Sequence, residues 1–134
     1  MPPTAIPDDF VPWDHPSPVL DALGGFLRHG TDPLRIGFVV EGSKVNARGL
    51  LHAGVLATIA DVAIGHALAA STEPRTPLLT VGLTCDYTGS ASTGDWVGAT
   101  IEPGRVGRRL AAGGAVFTAD GRTICTCRGL FLPV

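Results

Sequence analysis

The sequence has few charged residues and no excess of either sign: ten Lys and Arg stand against twelve Asp and Glu, a formal net charge of −2. It therefore lacks the electrostatic footprint that a nucleic acid or an anionic membrane surface demands. Cysteine is also scarce. Cys85, Cys125 and Cys127 are an odd number, which fits a secreted disulfide scaffold poorly and makes a reducing cytoplasm the expected compartment. The opening residues MPPTAIPDDF have neither a basic n-region nor an apolar h-region. The longest apolar stretch, residues 53–70, is interrupted by Thr58, Asp61 and His66, whereas a membrane helix needs roughly 20 mostly apolar residues. It reads as a buried helix of a soluble protein. No internal repeat, low-complexity tract or second domain is visible, and 134 residues suit one domain of about 100–150 residues.

What is present is abundant turn chemistry, with 18 Gly and 11 Pro. Five of the prolines (Pro2, Pro3, Pro7, Pro12, Pro16) fall in residues 1–16, so this segment is expected to be an extended arm without regular structure, pinned to the body by Phe10 and Trp13. Residues 17–134 then form the single domain. Ser17 followed by Pro18 is a cap with a first-turn proline, opening a short helix that Gly24 and Gly25 end. Two β-compatible runs, Phe26 to His29 and Leu34 to Glu41, flank the turn cluster Gly30 to Pro33 and read as a hairpin. A loop from Gly42 to Gly49 leads to the one long helix, about Ala53 to Ala70. Four strands follow, near Leu78 to Tyr87, Asp95 to Glu102, Leu110 to Thr118 and Thr123 to Leu132. Turn signals at Gly89 to Gly94, at Pro103 to Gly107 and at Asp120 with Gly121 separate them. The pattern is α+β, with one long central helix wrapped by a largely antiparallel β-sheet.

Apolar residues cover every face of the long helix, which predicts burial all round. Asp61 sits in its middle, with no Lys or Arg in the helix to neutralise it. Because a buried, unpaired carboxylate costs several kcal/mol unless its pKa rises or donors surround it, Asp61 reads as a pocket-lining base or nucleophile. The bland alternative is a carboxylate that reaches solvent or accepts backbone N–H bonds. Asn46, Gly49, His52 and Gly54 crowd the entry to the helix, where free N–H groups and the positive end of the dipole can hold an oxyanion. His52 by itself would more often be a structural residue. Nine residues of helix between His52 and Asp61 amount to about 13 Å at 1.5 Å per residue, too far for both to reach one reacting atom. If both serve one site they come from two chains, so a homodimer with shared active sites is expected.

The run NARGLLHAGVLATIADVAIGHAL, residues 46–68, resembles the signature of hotdog-fold acyl-CoA thioesterases of the phenylacetyl-CoA thioesterase type. An Asn, a Gly, a His-Gly-Gly and a downstream Asp recur in that family at this spacing. LTVGLTCDYTGSASTGDWV and GRVGRRLAAGGAVFTADGRTICTCRGLF resemble its later strands, so the similarity covers about residues 18–132. The resemblance implies a hotdog fold and hydrolysis of a medium-sized or aromatic acyl-CoA to free acid and CoA, with no cofactor and no metal. Carried over by position, it makes Asp61 the general base or nucleophile and the N–H groups of Ala53 and Gly54 the oxyanion hole. Asn46 and His52 would orient the thioester or the lytic water, and Thr80 would stand near the attacking water. Ala53 replaces the middle glycine of the His-Gly-Gly, so the oxyanion contact requires a negative φ there. The resemblance also implies a homotetramer, by back-to-back sheets or by facing helices.

Arg105, Arg108 and Arg109 form the tightest basic cluster, at a strand-to-strand turn. They are either a solvated turn or, as the resemblance implies, the contacts for CoA phosphates, which suit guanidinium forks. Cys125 and Cys127 share a face of one strand, and two thiols alone do not make a zinc site, so packing is their expected role. His66 is about 140° around the helix from Asp61, and His15 and His29 have no constellation around them. Two rival readings stand beside hydrolysis: a non-catalytic acyl-CoA binding module, and a hotdog enoyl-CoA hydratase or dehydratase, which would need a His and a carboxylate at the acyl carbons.

Overall fold

Ala53–Ala70 is a single 18-residue helix, α2, and the sheet packs against one side of it. The computed structural model describes residues 5–134; Pro2 and Pro3 of the proline-rich arm lie outside the described residues. In chain order the other elements are β1 (Phe10–Pro12), α1 (Pro18–Leu23), β2 (Leu27–His29), β3 (Arg35–Val39), a 3-10 turn (Gly42–Lys44), β4 (Leu78–Tyr87), β5 (Trp96–Val106), β6 (Ala111–Ala119) and β7 (Arg122–Pro133). The seven strands make one sheet in the order β1-β2-β3-β5-β6-β7-β4, with every neighbouring pair antiparallel.

The local signals explain most boundaries. Ser17 precedes Pro18 at the start of α1, and Gly24, with φ 75°, ends it. Ala119 pairs with Arg122 across Asp120 and Gly121, which take φ values of 50° and 73°. Positive φ at both central residues is what a tight hairpin compatible with strand twist requires, and Asp-Gly supplies it cheaply. The core lies between α2 and the sheet. Ile59, Ile64 and Leu68 of the helix meet Phe38, Val97, Phe117, Ile124 and Phe131 of the strands in one buried cluster. Gly113 makes this close approach possible, since a Cβ there would lie 3.0 Å from Ile64 and 3.3 Å from Leu68.

Three expectations are corrected. The arm holds regular structure: Phe10–Pro12 pairs with Leu27–His29 as the sheet's terminal strand, and Phe10 packs edge-on against Trp96 at 4.9 Å. Prolines are tolerated there because an edge strand leaves some backbone N–H positions unpaired anyway. The turn placed at Pro103 to Gly107 begins later, since β5 runs on to Val106 with a register shift between Pro103 and Val106. Arg105 is thus a strand residue. Finally, α2 is not buried all round. Ala57, Thr58, Asp61, Val62, Gly65 and His66 are only half-buried, because the sheet wraps the opposite side and leaves this stripe open.

Candidate active site

The entry to α2 is built by short-range bonds that the sequence sets up. Asn46 Oδ1 accepts from the N–H of Arg48 at 2.9 Å and of Leu50 at 3.2 Å, closing the loop. The carbonyl of Lys44 accepts from the His52 N–H at 2.8 Å. His52 is the N-cap, its Nδ1 accepting from the Gly54 N–H at 2.8 Å. With Nδ1 accepting, the neutral ring carries its proton on Nε2, which turns a donor outward. A Cβ at Gly54 would sit 3.0 Å from two atoms of the imidazole, so the glycine is what allows the ring to fold back over the helix start. Ala53 is not among the residues with positive φ, which meets the condition its methyl imposes, and its N–H has no partner among the described residues. The Gly54 N–H is already engaged by His52.

Two turns further on, Asp61 projects from the half-open stripe of α2. Thr80 on β4 donates its hydroxyl to Asp61 Oδ1 at 2.7 Å. Just beyond Thr80 the pairing of β4 with β7 shifts register, between Thr80 and Gly82. The expected unpaired buried carboxylate is replaced by a partly exposed one with a hydroxyl partner, because the sheet covers only the other side of the helix.

Asp61 and Thr80 line one end of a cavity of 370 Å³ whose remaining wall includes Trp13, His15, His66, Arg75 and Phe131. His15 therefore does have a constellation around it, with His66 as its centre. Their rings lie 3.8 Å apart, Trp13 packs edge-on against both, and Arg75 Nη2 lies 3.2 Å from His66 Nδ1. Burial, reinforced by the nearby His15 and Arg75 charges, brings the pKa of His66 down to about 4, so the ring is neutral near pH 7. Angular separation on the helix did not keep His66 from the cavity of Asp61, because the N-terminal arm closes the wall from outside. His29 acts elsewhere, its Nδ1 accepting from the N–H of Thr31 and Asp32 and shaping the turn between β2 and β3.

Tyr87 is a residue that sequence reasoning missed. Its hydroxyl donates to the Ala53 carbonyl at 2.7 Å, tying the end of β4 to the first turn of α2. The only signal available was its being the sole tyrosine of the chain. Arg105, Arg108 and Arg109 are all exposed and line one shallow hollow at the β5–β6 end of the sheet.

The long helix against one face of an antiparallel sheet is the hotdog architecture, and solved structures place the chain there. It resembles a hypothetical thioesterase of Streptococcus pneumoniae crystallised with coenzyme A, with a TM-score of 0.68 and 19% identity over 83% of this chain and 82% of that one. It also resembles the Escherichia coli PaaI protein from the phenylacetic acid degradation operon, with a TM-score of 0.67 and 19% identity over 82% of this chain and 73% of that one. A Pseudomonas aeruginosa protein named "putative esterase" is 34% identical over 128 residues, 94% of this chain and 96% of that relative. The sequence model of the thioesterase superfamily matches residues 48–126. The chain belongs to the thioesterase superfamily.

Proposed function

We propose that the protein hydrolyses a medium-sized or aromatic acyl-CoA to the free acid and CoA, with Asp61 as general base. The observation that carries this reading is the Asp61 carboxylate itself: anchored through Oδ1 by Thr80, it faces a cavity large enough for an acyl group. In the mechanism, Asp61 Oδ2 takes a proton from a water molecule as its oxygen attacks the thioester carbonyl. The carbonyl C=O becomes a tetrahedral oxyanion, and the Ala53 N–H at the start of α2, unpartnered among the described residues, supplies a donor and a positive dipole end where that charge develops. Collapse of the intermediate breaks the C–S bond, and the proton held by Asp61 goes to the departing thiolate. Trp13, Phe131 and the closely packed imidazoles of His15 and His66 line the cavity with aromatic rings suited to an aromatic acyl group.

Asp61 and the head of its own α2 are about 13 Å apart at 1.5 Å per residue, so the oxyanion donors come from a second subunit. The edge strand β4 supports this assembly. It carries Thr80, it ends the sheet, and it exposes Leu79 and Val81 to 57% and 50%, an apolar edge of the kind that pairs with another chain. The CoA-bound neighbour supports the ligand, and the exposed Arg105, Arg108 and Arg109 are the groups suited to its phosphates.

One observation favours a second reading, a non-catalytic acyl-CoA binder: the Gly54 N–H is already taken by His52. Thiol release from a panel of aliphatic and aromatic acyl-CoAs, by wild type and Asp61→Ala in parallel, separates the two. Hydrolysis requires wild-type turnover that falls by about 10²-fold or more in the variant, the range of a general acid or base. Tight binding by both proteins with turnover by neither would establish the binder and overturn the hydrolase.

A further inference from the structure

The two cysteines of β7 are joined by a third. Cys125 and Cys127 lie two apart and point to the helix side of the sheet, while β4 places Cys85 directly opposite Cys127 in the ladder. The Cys125 and Cys127 sulfurs are 3.5 Å apart, those of Cys127 and Cys85 are 3.1 Å apart, and all three lie within 4.8 Å of one another. Sulfurs bound tetrahedrally to one ion at about 2.3 Å are about 3.8 Å apart, so small side-chain rotations would bring all three onto one centre. All three thiols are free.

Charge decides which centre. Cys125 and Cys127 are fully buried within the hydrophobic core cluster. The nearest charged pair is Asp86 with Arg128, 3.9 Å apart and both largely exposed, so it adds no net positive charge beside the sulfurs. A divalent ion held by three thiolates would leave a net negative charge in this apolar place. Closed zinc sites also take four ligands, and among the described residues no other His, Cys, Asp or Glu joins the cluster. A trivalent, three-coordinate, thiophilic centre escapes both difficulties, since three thiolates neutralise it and its lone pair fills the fourth position.

We propose that Cys85, Cys125 and Cys127 form a binding site for a trivalent thiophilic metalloid, for which arsenite is the probe. Binding is an exchange without change of oxidation state. Three S–H and three As–O bonds break, three As–S bonds form, and the hydroxides leave as three waters. Cys85, the half-buried member, is the entry point, and the two buried thiols close the chelate.

The test uses the full chain, reduced, titrated with arsenite and examined by native mass spectrometry and by near-ultraviolet As–S absorption. The expected result is one arsenic per chain with every hydroxide lost, a stoichiometry read on wild type and so independent of how any variant folds. Cys85→Ser, a conservative change at the least buried position, should retain an As–OH and weaken binding by about 10²-fold, the usual worth of one further linked contact. A wild-type adduct that keeps a hydroxide, equal affinity in Cys85→Ser, or Zn²⁺ displacing arsenite at equal concentration would overturn the assignment. None of these readouts depends on thioester hydrolysis.

Discussion

At the scale of single residues the coupling of Asp61 to Thr80 is the most consequential contact. A hydrogen bond to a charged group is worth about 1.5–3 kcal/mol, and this one is partly exposed, so the lower end applies. Thr80→Val should reduce kcat about tenfold while leaving KM for an acyl-CoA nearly unchanged, measured by thiol release. A rise confined to KM would mean that Thr80 contacts ligand instead of holding the base. Gly54 works through His52. Gly54→Ala puts a methyl 3.0 Å from the imidazole, and losing an N-cap costs about 1 kcal/mol. The variant should therefore melt a few degrees lower, as thermal unfolding followed by circular dichroism would show. Asp61 was legible as the one acid in an apolar helix, although the physical reason differs: it is held by a hydroxyl on a half-open face, not stranded in a core. Tyr87 was not legible, because nothing local links it to Ala53, 34 positions away.

Among the elements, α2 was readable to its ends. His52, Ala53 and the apolar run through Ala70 are local signals, and helix formation depends on neighbours three and four positions away. The N-terminal arm was misread because its prolines argue against internal regularity, whereas β1 is held by the partner strand β2. The same arm brings Trp13 and His15 onto His66, which has a consequence in pH. The folded pKa of His66, about 4, lies below its ordinary 6.5, so between those values the unfolded chain binds the proton and the folded one does not. Stability should then rise with pH across this window and be lost as pH falls from 6.5 towards 4. His66→Phe should flatten that part of a urea-denaturation pH profile. An unchanged slope would place the acid sensitivity in other groups.

At the scale of the whole molecule, β4 joins the candidate site to the edge along which a dimer is proposed. It is the last strand in space although the fourth in sequence, and its apolar edge at Leu79 and Val81 lies beside Thr80. Val81→Lys places a charge on that edge, the device by which natural sheets refuse edge pairing. The variant should sediment as a monomer with an unchanged circular dichroism spectrum, and its thioester hydrolysis should fall together with the dimer. A fully active monomer would mean that one chain holds the whole site.

The sequence by itself determined the helix and its extent, the hairpins, the α+β class and the presence of an acid in an apolar helix. These follow from periodicity and turn chemistry within a few residues of each position. Only the tertiary structure decided which stripe of α2 stays open, that Thr80 meets Asp61 across 19 positions, and that Cys85 meets Cys127 across 42. Such contacts depend on which strands become neighbours. That choice is made by burying the whole helix face against the sheet at once, a sum over the chain that no local window contains.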